Sequence, residues 1–87
     1  MKSFDGLWQE LARKIEEADS ASGTVRAISE GNHFIAKKVI EEAGEVWMAS
    51  EYQSPDQLAL EISQLLYHLQ VLAIAKGLKL EDIYKEL

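Results

Sequence analysis

Three glutamates crowd one strip of a segment in which polar and apolar residues alternate with helical spacing. At about 100° per residue, Lys38, Glu42 and Glu45 lie within about 60° of one another, and Glu41 adjoins Glu45 at the i, i+4 spacing. Like charges at such spacings destabilise an isolated helix by a few tenths of a kcal/mol per pair. The cluster therefore favours a bound cation.

A second segment supplies a complementary strip of Glu61, Gln64 and His68. Two antiparallel helices that each present oxygen donors at i, i+3 can converge on a hard cation. The predicted ligands are Glu42, Glu45, Glu61 and Gln64, and an all-oxygen set suits Mg²⁺, with Mn²⁺ as the alternative, better than Zn²⁺. Such an ion neutralises phosphate charge and activates water. From spacing alone, a solvated acidic face explains the pattern equally well.

The elements that must position these residues are helices, because apolar residues recur every three or four positions and the chain has only one proline. A polar loop is predicted over Asp19–Thr24, and the Ser54-Pro55 start places the two long helices antiparallel after a short turn. The sequence predicts an all-α fold of four helices: Phe4–Glu17, Asn32–Tyr52, Ser54–Lys76 closing at Gly77, and a short, poorly capped Glu81–Leu87.

Helical phase also predicts which side chains form the core. In the second helix the predicted core face is Ile35, Ala36, Val39, Ile40, Ala43, Val46 and Trp47, and Trp8 occupies a similar position in the first helix. In the third helix the core stripe is Leu58, Ile62, Leu65, Leu66, Leu69 and Leu72. The opposite side of that helix is also apolar, with Leu60, Tyr67, Val71 and Ile74. Two apolar faces in so short a chain indicate oligomerisation.

Size and composition exclude several classes of protein. The 87 residues suit one domain, 1–87, and the formal net charge of −6 has the wrong sign for a nucleic-acid binder. Without cysteine, neither disulfides nor thiolate metal sites stabilise the fold. No run of about 18 to 20 apolar residues predicts a membrane span, and no secretory signal is present. We therefore expect a cytoplasmic protein without a membrane partner.

Two stretches carry a family resemblance: Lys37-Lys38-Val39-Ile40-Glu41-Glu42-Ala43-Gly44-Glu45-Val46 and Glu61-Ile62-Ser63-Gln64-Leu65-Leu66-Tyr67-His68. They resemble the phosphoribosyl-ATP pyrophosphohydrolases, which are MazG-like all-α enzymes, and the similarity covers nearly the whole chain. The family motif has two adjacent glutamates, a third three positions later, and a distant glutamate followed by an aspartate at +3. Glu41, Glu42, Glu45 and Glu61 match it, whereas Gln64 replaces the aspartate and either ligates the metal or holds a metal-bound water.

The resemblance implies a reaction and an assembly. The reaction is hydrolysis of phosphoribosyl-ATP to phosphoribosyl-AMP and pyrophosphate, the second step of histidine biosynthesis, with Mg²⁺ and with the helical bundle completed by homodimerisation. The family's Ser-x-Thr-x-Lys loop corresponds to Ser22-Gly23-Thr24-Val25-Arg26, with arginine in place of lysine and glycine in place of an aromatic residue. Ser22, Thr24 and Arg26 are thus expected to bind substrate phosphate, together with Lys38, which the resemblance also places in catalysis.

Other interpretations stay open at this stage. Glu41 either orients the attacking water as a catalytic base or is an exposed acid without a task, and His68 fits a structural role better than that of a base. One alternative function is hydrolysis of noncanonical nucleoside triphosphates by the same glutamates. Another is a non-catalytic helical dimer, which binds a partner through the second apolar face of the third helix and needs no Mg²⁺.

Overall fold

The computed structural model describes residues 1–18 and 21–87, and within them it contains five α-helices and no strand. This confirms the all-α prediction. The predicted loop residues Asp19 and Ser20 lie outside the described residues. The helices are α1 (Phe4–Glu17), α2 (Gly23–Glu30), α3 (Asn32–Tyr52), α4 (Pro55–Ala75) and α5 (Leu80–Tyr84).

The ends of the long helices follow local chemistry. The Ser3 hydroxyl accepts from the Gly6 amide at 2.9 Å at the start of α1, and the Ser54 hydroxyl accepts from the Gln57 amide at 3.2 Å at the start of α4. Each serine satisfies one of the amides that a helix start leaves without a partner. After α4, Gly77 has a φ of +79°, the left-handed backbone that glycine adopts most easily. The predicted bounds of α1 and α3 are confirmed, and α4 ends one residue earlier than predicted.

Helix α2 was missed, because eight residues are too few for a clear periodicity. It includes Gly23 and Thr24, which were assigned to the loop, and the apolar stretch that follows them. The Ser22 hydroxyl caps α2 by accepting from the Val25 amide at 3.4 Å. Gly31, with a φ of +101°, separates α2 from α3. The chain thus forms α2 and a sharp turn at Gly31 before α3, where the sequence predicted only a connecting segment.

Helix α5 also differs from the prediction, because its first turn is capped. The Asp82 carboxylate accepts from the Lys79 amide at 2.8 Å. A side chain in the first turn therefore reaches back to an amide that precedes the helix, the second half of the arrangement known as a capping box. The helix begins at Leu80 and ends at Tyr84.

Helices α3 and α4 form the centre of the fold and share its most extensive helix contact. Only two residues, Gln53 and Ser54, separate them, so the helices run antiparallel as predicted. Helices α1 and α2 cover one end of this pair, where Leu11, Ile35 and Val71 form the buried core. A carboxylate on α3 can therefore meet a side chain of α4 in the middle of the pair.

The predicted core face of α3 is partly wrong. Ile35 is buried, but Ala36 and Ala43 are exposed, Ile40 is 76% exposed and Trp47 is 68% exposed. The reason is that α4 packs along a different line of α3, so that these four residues face outward. Trp8, by contrast, is buried as predicted. We call Ala36, Ile40, Ala43 and Trp47 the outer strip of α3.

On α4 the predicted faces are only partly correct, because Leu72 of the predicted core stripe packs against the core but Leu60 of the opposite side is 49% exposed. Val71 is buried, and Tyr67 and Ile74 pack against the core, because α1 and α2 cover that side of the helix. Three residues of the predicted core stripe are instead about 40% exposed: Ile62, Leu66 and Leu69. Both long helices therefore expose apolar side chains that this single chain leaves uncovered.

Among the described helices, α4 alone is long and apolar enough to cross a membrane by length and composition, with a mean hydropathy of 1.4 over its best window. No such span was expected. The helix also carries Glu61, Gln64, His68 and Gln70, polar side chains that divide its apolar surface. One such helix is weak support for a membrane span.

Candidate active site

Glu42 is the acidic residue of α3 that lies closest to the core. It stands seven positions, or about two turns, from both Ile35 and Ala49, which are 1% and 0% exposed. Its own side chain is 21% exposed. Ionised carboxylates are rarely placed on a buried helix line unless they have a partner, because burial removes their hydration. The position of Glu42 therefore indicates a role other than solubility.

His68 on α4 faces Glu42, with 3.8 Å between Nε2 of the ring and Oε1 of the carboxylate. Burial lowers the pKa of His68 below its ordinary 6.5, and the charge of Lys38 acts in the same direction, whereas Glu42 and Glu41 oppose the shift. The imidazole is thus mainly neutral at pH 7. Because a neutral ring does not balance a carboxylate, the negative charge of Glu42 is left to be compensated by another cation.

The remaining predicted acids of α3 lie nearer to solvent. Glu41 is exposed and pairs with Lys38 at 3.2 Å from Nζ to Oε2. Lys38 also lies above the Phe34 ring, at 5.8 Å from the ring centroid. Glu45 is exposed, and no ion pair involves it within the described parts of the chain. We call Glu41, Glu42 and Glu45 the acidic strip. The structure therefore brings Lys38, Glu41 and Glu42 to one end of it.

On α4, Glu61 is half-buried and accepts a hydrogen bond from Gln57 Nε2 at 2.9 Å, whereas Gln64 is exposed. Across residues 1–18 and 21–87, no three acidic or histidine side chains are arranged to hold a metal ion. The predicted four-residue Mg²⁺ site stays a prediction. Its donor chemistry fits a hard cation, because the carboxylates of Glu42 and Glu61 are half-buried and neither pairs with a lysine or arginine of the described residues.

The predicted phosphate loop is engaged in local structure. The Ser22 hydroxyl caps α2. Thr24 is only 3% exposed, and its hydroxyl lies 2.6 Å from the Tyr67 hydroxyl on α4. Arg26 is exposed on α2. Of the three loop residues expected to bind phosphate, Arg26 thus presents a charged group to solvent, while the two hydroxyls hold α2 in place.

A cavity of about 220 Å³ lies where α2, α3 and α4 meet, and we call it the three-helix cavity. Its lining includes Lys38 and His68, and also three residues that sequence reasoning did not assign to the site: Gly23, Phe34 and Tyr67. The adjacency of Tyr67 to His68 was a usable signal. Gly23 lies between the motif residues Ser22 and Thr24, but its place in the lining depends on α2, which was not predicted, and Phe34 gave no signal.

Comparisons with known proteins agree with this arrangement. Residues 4–87 match the family model described as phosphoribosyl-ATP pyrophosphohydrolase. The chain is also 63% identical over 87 residues, the full length of both proteins, to a protein from Salinibacter ruber (strain DSM 13855 / M31) named phosphoribosyl-ATP pyrophosphatase. A match of this extent favours an enzyme over a non-catalytic helical dimer.

Proposed function

The chain belongs to the phosphoribosyl-ATP pyrophosphohydrolase family, and on that premise we propose that the carboxylates between α3 and α4 carry its reaction. The reaction is hydrolysis of phosphoribosyl-ATP to phosphoribosyl-AMP and pyrophosphate, the second step of histidine biosynthesis. The observation that supports this placement best is Glu42, a half-buried carboxylate that faces a neutral histidine.

In this proposal Glu42, Glu45 and Glu61 hold a Mg²⁺ ion, with Gln64 either as a fourth ligand or as the holder of a metal-bound water. When bound, the ion supplies charge neutralisation for the leaving pyrophosphate and a more acidic water. His68 Nε2 lies 3.8 Å from Glu42 Oε1, so the ring borders this ligand without forming a hydrogen bond to it.

Cationic side chains bind the phosphates. Lys38 stands one turn before Glu42 on α3, and its ammonium can approach phosphate as a point charge. Arg26 presents a guanidinium that can bind phosphate with two hydrogen bonds. Ser22 and Thr24 contribute by holding the first turn of α2, which carries Arg26. The phosphate chain is therefore placed between α2 and the acidic strip.

Glu41 orients the attacking water and accepts its proton. Its pairing with Lys38 at 3.2 Å places an acid and a cation side by side at the edge of the strip. A carboxylate of this kind acts as a general base once it lies within hydrogen-bond reach of the water. Attack on the α-phosphorus then releases pyrophosphate, whose charge the cationic residues balance.

We further propose that the active form is a cytoplasmic homodimer. The outer strip of α3 and the exposed Ile62, Leu66 and Leu69 of α4 are the surfaces that a second copy would cover. A chain of 87 residues buries a smaller fraction of its surface than larger domains do, so association adds the apolar burial that it lacks. The resulting bundle would place four long helices together.

A substrate panel tests the function. Purified protein is incubated with Mg²⁺ and with phosphoribosyl-ATP, ATP, dUTP or dCTP, and pyrophosphate is measured. We expect kcat/KM for phosphoribosyl-ATP to exceed that for each other nucleotide by about 100-fold or more, as expected where a site hydrogen-bonds a group that competitors lack. A higher kcat/KM for dUTP or dCTP would assign the chain to noncanonical nucleotides, and no product from any of them would refute hydrolysis.

A further inference from the structure

We propose that the three-helix cavity binds the purine base of the nucleotide substrate, an inference that rests on the proposed function. The floor of this cavity is the core itself, since Ile35 and Val71 are each 1% exposed. Its rim includes Lys38 and His68. The cavity is thus an indentation in a packed core that opens beside the charged residues of the site.

The volume of the cavity suits one ring system. Pockets that enclose a drug-sized molecule measure about 300 to 1,000 Å³. At about 220 Å³, this cavity accommodates one heterocycle with its nearest sugar atoms, and it excludes the complete nucleotide. The phosphates must then lie outside, where the side chains are charged.

The walls present the chemistry that a base requires. Phe34, Tyr67 and His68 contribute aromatic rings, and aromatic rings stack on the π-face of any base. The Tyr67 and His68 rings meet edge to face with centroids 4.9 Å apart. The bond between the Tyr67 and Thr24 hydroxyls holds the tyrosine ring against α2. The Tyr67 ring is therefore held in the wall before a ligand enters.

The surroundings of the cavity orient the ligand. Glu42 lies 3.8 Å from His68, and Glu41 lies 3.2 Å from Lys38, so both rim residues contact the acidic strip. A base in the cavity would direct its phosphates toward Lys38 and the carboxylates. A larger groove of about 330 Å³ beside Phe4 and Trp8 has no such neighbours, because none of its lining residues is charged. This difference favours the smaller cavity as the base site.

Gly23 offers a way to close the cavity without straining the backbone. It lies at the first position of α2, and a Cβ built there meets no atom within 4 Å. Substitution by alanine therefore adds one methyl group in open space. Leucine at the same position adds a branched side chain at the edge of the cavity, and we expect it to reduce the room for a ring.

The experiment compares Gly23→Ala, Gly23→Leu and Ser29→Leu. Ser29 is exposed on the same helix and does not line the cavity, so its substitution controls for an added leucine on α2. Steady-state kinetics with phosphoribosyl-ATP give kcat and KM. Adenosine, which has no phosphate, serves as an inhibitor that reports the base site alone, and pyrophosphate serves as a product inhibitor that reports the phosphate site.

For Gly23→Leu we expect KM and the adenosine inhibition constant to rise about tenfold, which corresponds to the loss of one stacked base. The kcat and the pyrophosphate inhibition constant should stay within about twofold of the unsubstituted protein. Ser29→Leu should resemble that protein in all four quantities, whereas Gly23→Ala, which adds one methyl group to the lining, should raise the same two constants by less than Gly23→Leu does. If Gly23→Leu does not fold, as judged by circular dichroism, Phe34→Leu removes an aromatic wall and should raise the same two constants.

Three results would overturn the inference: unchanged adenosine inhibition in Gly23→Leu, an equal change in Ser29→Leu, or a change of oligomeric state as the main effect. The last result would mean that a second copy of the chain fills the cavity.

Calorimetric titration with adenosine does not require turnover. Suppose that the protein forms no pyrophosphate but binds adenosine, and that Gly23→Leu abolishes this binding. That result would contradict the proposed function and retain the base site.

Discussion

The hydroxyl groups of Thr24 and Tyr67 lie 2.6 Å apart although 43 positions separate the two residues in the chain. This bond connects the first turn of α2 to the middle of α4. Thr24 is only 3% exposed, so its hydroxyl has little access to water that could replace the tyrosine as its partner. The stability of the cavity wall therefore depends on this pair.

Removal of the tyrosine hydroxyl should destabilise the fold. We expect Tyr67→Phe to lower the free energy of unfolding by about 1 to 3 kcal/mol, because the buried Thr24 hydroxyl loses its partner. Urea denaturation measures the change. Tyr52→Phe, at a position that is 86% exposed, is the matched control and should leave stability unchanged.

A double-mutant cycle with Thr24→Val identifies the cause. Because the double variant leaves no hydroxyl unpaired, its loss of stability should be smaller than the sum of the two single losses. Additive losses would show that the hydroxyls do not interact in solution.

Sequence reasoning predicted the long elements of the fold and the short last helix, but it missed α2. The bounds of α1 follow from the Ser3 cap and its helical period, whereas α3 has no side-chain cap and follows from an unbroken helical period alone; both signals are local. Helix α2 has only eight residues, and its position depends on tertiary contacts such as the bond between Thr24 and Tyr67. Local patterns do not contain such contacts.

The helix faces were harder to predict for a different reason. An apolar stripe on a helix predicts the core only when one chain buries its own apolar residues. Ile40 and Trp47 belong to such a stripe but are largely exposed. The carboxylate of Glu42 lies instead on the line between Ile35 and Ala49. The sequence places the acidic residues on one strip as a group, whereas their order of burial depends on how α4 packs.

The exposed outer strip leads to a prediction about assembly. We expect Trp47→Glu to raise the dimer dissociation constant by about 30-fold or more, since truncation of a large buried aromatic at an interface costs about 2 kcal/mol or more. Sedimentation velocity over a concentration series measures the constant. Leu87→Glu, at an exposed position beyond α5, should leave it unchanged. A monomeric unsubstituted protein, or an unaffected Trp47 variant, would contradict the proposed interface.

The ion pairs of Glu10 predict a pH-dependent contribution to stability. Lys2 and Lys14 lie 2.6 and 3.4 Å from its carboxylate and hold its pKa below the ordinary 4.5 in the folded state. The contribution is therefore fully present above the unfolded-state pKa and is lost as the pH falls through the lower folded-state pKa.

Urea midpoints at pH 7 and pH 3 test this sign. Glu10→Gln should be slightly less stable than the unsubstituted protein at pH 7, and the difference should shrink at pH 3 and in high salt. Glu16→Gln, on the same helix but without a recorded ion pair in the described part of the chain, is the control. A difference that grows toward pH 3 would contradict the assignment.

The role of Glu42 is tested most directly by measuring Mg²⁺-dependent pyrophosphate release from phosphoribosyl-ATP by Glu42→Gln and Glu51→Gln. Both residues are on α3, but Glu51 is exposed and lies outside the acidic strip. We expect Glu42→Gln to lower kcat about 100-fold or more with folding and oligomeric state preserved, because removal of an electrostatic group at a reacting centre costs about 2.7 to 4 kcal/mol. Glu51→Gln should retain full activity. Equal activity of the two variants would contradict the placement of the reaction between α3 and α4.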